Sequence, residues 1–255
     1  MPVIALLTDF GTQDHYVAAM KGVILSVNRK AVIVDITHET EPQNVTSAAF
    51  VLRCCYREFP PSTVFCCVVD PGVGSDRRAV IGNTSGQSFV GPDNGLFSFL
   101  YEENANVSSI ENDQFFRKPV SATFHGRDIF APVAAHLSLG VPPHEFGPQI
   151  TDPVTLTDAR PEQMDETTIE GSVIHIDHFG NIVTNITADM AGKAFQLEVA
   201  GLPVNDMRER YAGTPAGQPF AIVGSSGLIE ISINGGSAAE IMRVSVGSPV
   251  IIRQK

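Results

Sequence analysis

The sequence predicts an α/β fold. It consists of a larger amino-terminal domain, residues 1–160, with a mainly parallel sheet covered by helices, and a small antiparallel β-barrel domain, residues 161–255. Three observations point there. Apolar runs alternate with helix-period segments over the first half of the chain. A polar stretch with Pro142, Pro143, Pro148, Pro153 and Pro161 then interrupts the pattern and reads as a linker. Beyond it come only short apolar runs separated by turn residues. A length of 255 residues suits two domains, because single cores stop growing near that size.

Residues 3–7 form an apolar run ended by Thr8-Asp9-Phe10-Gly11, a strand followed by a loop. Residues 14–27 then place Tyr16, Val17, Met20, Val23 and Ile24 at helical spacing. The unit repeats with residues 31–36 as a strand, 44–56 as a helix and 63–69 as a buried strand. Pro71, Gly72 and Gly74 forbid regular structure in the next loop. Residues 79–82 and 88–90 flank a Ser85-Gly86 turn and predict a hairpin; 95–102 and 129–139 predict helices, the second capped by Asp128. In the second domain, residues 172–176, 182–185, 195–199, 220–223, 228–233 and 249–252 predict strands of a small barrel.

Composition narrows the function classes. A formal charge of −11 disfavours nucleic acid and anionic membranes, both of which are bound through basic surface. A small or cationic ligand fits better. The chain has no apolar run long enough to span a bilayer and no signal-peptide pattern at its start, which predicts a cytoplasmic protein. The four cysteines fall as Cys54-Cys55 and Cys66-Cys67, neither a zinc spacing nor a disulfide framework, and read as small buried residues.

Ligands of such sheets sit beyond the carboxyl ends of the strands, where Asp9 and Asp70 both stand. The loop after the first strand carries Asp9 and Asp14 where a phosphate binder would need amides and positive charge. It suits hydroxyls or a cation instead. Asp70, Asp76, Arg77 and Arg78 crowd one loop and read either as a surface ion-pair cluster or as a site. His125 at a helix entry reads equally as a structural group or a catalyst. His175 and Asp177 share a strand face, but with no H-E-x-x-H they assemble no ligand set, and we expect neither metal nor cofactor. Asn181 is able to read the edge of adenine or to cap a turn. Residues 224–227, Gly-Ser-Ser-Gly, suit a carboxylate or a plain hairpin.

Taken together and in order, six segments resemble the S-adenosylmethionine hydroxide adenosyltransferase family, related to the fluorinases and chlorinases. They are Thr8-Asp9-Phe10-Gly11 with Asp14; Val69-Asp70-Pro71-Gly72-Val73-Gly74 with Arg77-Arg78; and Gly91-Pro92-Asp93-Asn94-Gly95. Phe124-His125-Gly126-Arg127-Asp128, Ile176-Asp177-His178-Phe179-Gly180-Asn181 with Thr184-Asn185, and Gly224-Ser225-Ser226-Gly227 complete the set. The resemblance implies hydrolysis of S-adenosylmethionine to adenosine and methionine in a homotrimer, with each active site between one subunit's first domain and a neighbour's second. It implies Asp70, Arg77 and His125 as catalytic residues. Asp9 corresponds to the ribose contact, Asp14 and Asp177 to contacts with the methionine ammonium, and Asn181 to the adenine reader. Phe124 corresponds to a wall beside the ribose, Phe179 to a further substrate contact, Tyr211 to the aromatic on adenine, and Ser225 with Ser226 to the methionine carboxylate.

Two positions depart from halogen-transferring relatives. Ser226 stands where some of them have arginine, and Tyr16 where they have a small polar residue. A third argues for chemistry. Those relatives line the anion site with hydroxyls and amides, whereas this chain has Asp70. A carboxylate beside a desolvated halide costs several kcal/mol, since both carry negative charge in a low dielectric. Water is therefore the expected nucleophile, and halide transfer or non-catalytic binding the alternatives.

Overall fold

A computed structural model of the chain describes residues 1–84, 86–156, 160–192 and 195–254. It divides into two compact units, Met1–Leu156 and Thr157–Lys255. The first holds β1 (Val3–Thr8), α1 (Tyr16–Val27), β2 (Val32–Thr37), α2 (Val45–Cys55), β3 (Val64–Val68), β4 (Ala79–Asn83) and β5 (Ser88–Pro92). It continues with α3 (Ser98–Glu102), β6 (Asn106–Ser109), α4 (Ala131–Ser138) and β7 (Gln149–Ile150). Ser85, of the expected hairpin turn, lies outside the described residues.

The seven strands are ordered β2-β1-β3-β5-β4-β6-β7. Pairs β2-β1, β1-β3 and β3-β5 are parallel, while β5-β4, β4-β6 and β6-β7 are antiparallel. The mainly parallel sheet expected from the sequence is thus half parallel. The difference arises at the short polar strands β6 and β7, whose residues carry little apolar periodicity. They also place residues 149 and 150, inside the expected linker, within the sheet, and Phe146 beside them is fully buried.

Helices cover both faces, and the strand period of two explains how. Ile4 and Leu6, with Val64, Cys66 and Val68, join one core with Met20 and Ile24 of α1 and Val133 of α4. Ala5 and Leu7, with Phe65, Cys67 and Val69, face the other way and join Ala48 and Leu52 of α2. Asn44 caps α2 by accepting the Ser47 N–H at 2.9 Å. Asp128 caps no helix: it lies within a π-helical turn, Gly126–Phe130, that leads into α4. Cys66 and Cys67 are buried, and burial pushes the Cys66 thiol up to about 12. Cys54 is exposed, against expectation, because it stands on the outer side of α2.

The second unit is β-rich: β8 (Glu162–Gln163), β9 (Thr168–Ile176), β10 (Ile182–Thr187), α5 (Ala188–Ala191), β11 (Phe195–Val199), β12 (Leu202–Val204) and β13 (Met207–Arg208). Then come β14 (Pro219–Val223), β15 (Leu228–Ile233), α6 (Ala238–Met242) and β16 (Pro249–Gln254). The order is β12-β11-β16-β9-β10-β15-β14-β13, with β8 on β9. All neighbours are antiparallel except β13 and β14. The first part of β9 pairs with β16 and its last part with β10, so one strand joins both halves of a nearly closed, barrel-like sheet. Ile169, Val173, Ile182, Ile229, Ile231 and Ile252 fill its interior. Among the described residues no helix is long and apolar enough to cross a membrane.

Candidate active site

Thr8 of β1 pairs with Val68 of β3, so Asp9 and Asp70 leave adjacent parallel strands at one end of the sheet. Burial raises the pKa of the Asp9 carboxyl; the Gln43 amide opposes this, and the negative charge of Asp70 adds to it. Asp9 Oδ2 accepts that amide N–H at 2.8 Å. The turn after Asp9 needs Gly11, whose φ of +65° is left-handed.

Seven residues beyond Asp70 the chain returns with Arg77. Its Nε donates to both Asp70 oxygens, at 3.0 and 3.1 Å, and its Nη2 donates to Asp70 Oδ2 as well. The same Nη2 donates to His125 Nδ1 at 2.8 Å. Arg77 therefore bridges Asp70 and His125, with its guanidinium 5.2 Å above the Phe130 ring. The side chains of Asp70 and Arg77 keep only 5% and 12% of their exposure. A guanidinium has no acceptor, so Nδ1 is the acceptor and the neutral imidazole carries its proton on Nε2. Burial and the Arg77 charge lower the His125 pKa, against opposing pulls from Asp70 and Asp128.

Arg78, next in sequence, points elsewhere. It donates to Asp93 Oδ2 at 2.8 Å and to Asp152 Oδ1 at 2.7 Å. Asp93 Oδ1 accepts the Val154 N–H, so this arginine fastens the end of the first unit.

His125 is held by the π-helical turn that follows it. Asp128, with a fully buried side chain, accepts from Arg117 at 3.0 Å, from Arg127 at 2.7 and 2.8 Å and from the Ser121 N–H at 2.9 Å. Burial raises its pKa, but these partners more than offset that and hold the carboxyl below its ordinary value. Phe124 is buried and meets Phe10 and Tyr16 edge-on, with centroids 5.9 and 5.1 Å apart. Sequence reasoning missed Phe10 as part of this wall and left Tyr16 without a role. Asp14 is exposed.

In the second unit Asp177 and Asn181 are in direct contact. Asp177 Oδ1 accepts the Phe179 and Asn181 N–H groups, each at 2.9 Å, and its Oδ2 accepts Asn181 Nδ2 at 2.7 Å. Phe179 is 75% exposed at this turn. Tyr211 meets Phe220 edge-on and its hydroxyl lies 3.2 Å from that of Ser232, on β15. Ser225 and Ser226 sit in the β14–β15 hairpin, whose Gly224 lies against the Glu230 carboxyl; burial raises the pKa of that carboxyl, and the negative charge of Asp177 adds to it. Among the described residues no three His, Cys, Asp or Glu side chains gather where they could hold a metal.

The arrangement offers a buried carboxylate and guanidinium in contact with a half-buried imidazole beyond the ends of β1 and β3, beside an aromatic wall and a second carboxylate. Residues 4–147 match the family model of the SAM hydroxide adenosyltransferase N-terminal domain, and residues 171–251 that of its C-terminal domain. The chain is 38% identical to an (R)-S-adenosyl-L-methionine hydrolase of Thermus thermophilus, over 98% of this chain and 99% of that one. It is 42% identical to one of Methanocaldococcus jannaschii over 74% of this chain and 68% of that one. A fluorinase of Actinoplanes is 28% identical over 98% of this chain and 97% of its own. Among solved structures, an uncharacterized conserved protein from Thermotoga maritima superposes with a TM-score of 0.89 at 38% identity, covering 98% of this chain and 99% of that one. With both domain models matched and relatives at this identity spanning nearly its whole length, the chain belongs to the SAM hydroxide adenosyltransferase family.

Proposed function

We propose that this protein hydrolyses S-adenosyl-L-methionine to adenosine and L-methionine, and that Asp70, Arg77 and His125 handle the attacking water. The bridge that Arg77 makes between Asp70 and His125 is the observation that supports this assignment. It also favours Arg77 over Arg78, whose donors are engaged by Asp93 and Asp152.

Water attacks the ribose 5′ carbon in line with the departing sulfur. The C–O bond forms as the C–S bond breaks, and the electron pair moves onto sulfur, turning a sulfonium into a neutral thioether. No acid is needed at the leaving group. Because Arg77 occupies Nδ1 of His125, the imidazole orients the water through its Nε2–H, and Asp70 accepts the proton. Arg77 holds the Asp70 carboxylate in place and stabilises hydroxide character, and holding water and sulfonium aligned away from solvent supplies much of the rate. A halide would meet the Asp70 carboxylate in the same buried position.

Asp9 accepts the ribose hydroxyls beside Phe124; Asn181 and Tyr211 hold adenine; Asp14 and Asp177 contact the methionine ammonium. Phe179, Ser225 and Ser226 complete the substrate contacts, the serines at its carboxylate. The working form is a cytoplasmic homotrimer in which the α/β first domain of one subunit meets the small β-barrel second domain of its neighbour, and it needs no metal or cofactor.

Turnover of S-adenosylmethionine in ¹⁸O-labelled water tests the reading. Label in the 5′-hydroxyl of adenosine is expected; adenosine without label, or no adenosine, overturns it.

A further inference from the structure

The proposed chemistry leaves one buried histidine unused. His38 follows β2 and lies beneath the turn that presents Asp9, with 4% exposure. Its Nδ1 is 2.8 Å from Oγ1 of Thr8, a residue with none of its surface exposed. The Thr8 hydroxyl oxygen also accepts the Phe10 N–H at 3.3 Å. On its other side, His38 Nε2 lies 3.1 Å from Asp35 Oδ1, off the hydrogen-bond axis. Asp35 Oδ2 accepts from Lys21 Nζ at 2.6 Å. A carboxylate beside Nε2 favours the proton there, which leaves Nδ1 to accept from the Thr8 hydroxyl. The sequence of groups, hydroxyl to imidazole to carboxylate, is that of a nucleophilic triad, but Thr8 is closed to solvent and has no path to substrate.

What the chain of contacts does touch is the turn. Thr8 immediately precedes Asp9, and the surrounding bonds tie residues 8–12 to residues 38–43. The Gly11 N–H donates to the His38 carbonyl at 2.7 Å, the Gln43 N–H to Asp9 at 2.8 Å, and the Thr12 hydroxyl to Glu39 at 3.0 Å. Gln43 makes its contact with a φ of +66°, a left-handed conformation uncommon outside glycine. The β1–β2 register slips between Leu6 and Leu7, leaving Ile36 as an extra residue just before this segment. Such bulges re-aim the residues that follow them and recur beside active sites.

We propose that His38 is a positioning residue for the ribose contact: the chain Thr8–His38–Asp35–Lys21 fixes the turn so that Asp9 meets the substrate's ribose hydroxyls. This rests on the reading of Asp9 as the ribose acceptor. Partial burial raises the Asp35 pKa, but Lys21 and His38 more than offset it and keep this anchor ionised.

The test compares kcat/KM of the full-length enzyme for S-adenosylmethionine and for its 2′-deoxyribose analogue. His38→Leu removes the acceptor, Thr8→Val removes the hydroxyl at constant shape, and His38→Asn keeps an acceptor near the Nδ1 position. The first two are expected to lose about 10- to 100-fold on S-adenosylmethionine, chiefly through KM, and several-fold less on the analogue, which keeps only the 3′-hydroxyl for Asp9. His38→Asn should stay within about threefold of wild type on both. If His38→Leu does not fold, Thr8→Val decides. Equal losses on both substrates, or wild-type discrimination in the folded variants, overturn the proposal. Asp9→Asn separates the two ideas: if it keeps wild-type discrimination, the ribose reading itself fails.

Discussion

At the level of single residues, the adjacent arginines 77 and 78 have different surroundings and so different expected losses. Arg77→Ala leaves Asp70 and His125 without their bridge and should lower the rate of adenosine release by about 10²-fold or more, with the fold kept. Arg78→Ala instead leaves Asp93, whose side chain is 1% exposed, with one charge partner fewer. It should cost about 2 kcal/mol in denaturant unfolding and spare most of kcat. Equal effects of the two substitutions on kcat would contradict the assignment. The pH dependence follows from His125. Its folded pKa lies below the ordinary value of 6.5, so the unfolded chain binds the proton first as pH falls. The stabilisation from the neutral imidazole is present above 6.5 and is lost as pH drops through the folded value. Protonated Nδ1 no longer accepts from Arg77, so the acid limb of kcat should fall with an apparent pKa below 6.5; a limb above 6.5 counts against this role. The sequence pointed to Asp9, Asp70 and His125 through strand ends and motif order. The residues alone did not separate Arg77, which the resemblance named, from Arg78, because His125 and Asp152, the partners that tell them apart, lie 48 and 74 residues away in the chain.

Among the elements, the parallel strands β1 and β3 are what set two carboxylates side by side, and their buried runs made them readable in the sequence. The antiparallel half was harder to see: β6 is Asn106–Ser109, a short polar segment whose pairing with β4, not its composition, makes it a strand. The π-helical turn at Gly126–Phe130 was hidden for a similar reason. Asp128 looks like a helix cap in the sequence, and Arg117, brought in from an earlier loop, joins the adjacent Arg127 in making it a buried ion-pair centre. Between these elements, Gly74 sets the distance from the Asp70–Arg77 loop to the segment leading to His125. It has a φ of +79°, and a Cβ there would lie 2.4 Å from the Ala122 carbonyl oxygen. Gly74→Ala should therefore push the two loops apart, costing about 1–3 kcal/mol of stability. Activity should fall further than Arg78→Ala makes it fall, as measured by unfolding midpoint and adenosine release on the same preparations.

At the scale of the whole molecule, a charge of −11 suits a substrate bearing a sulfonium and an ammonium, since the summed field draws such a cation inward. The proposed water-handling groups lie in the first unit and the proposed adenine and ammonium contacts in the second. If neighbouring subunits supply the two sets, inactive variants can complement each other. Asp70→Asn damages only the first set and Asp177→Asn only the second. In a trimer assembled at random from equal amounts, a site is intact when its first unit comes from the Asp177 variant and its second from the Asp70 variant. That combination occurs at about a quarter of the sites of a closed ring. Co-expression of the two variants under different tags, followed by tandem purification, should thus restore adenosine formation to a substantial fraction of the wild-type rate, while each variant alone stays low. Because every chain in the mixture carries one defect, sites built within single chains would restore nothing, and that result would exclude the shared arrangement.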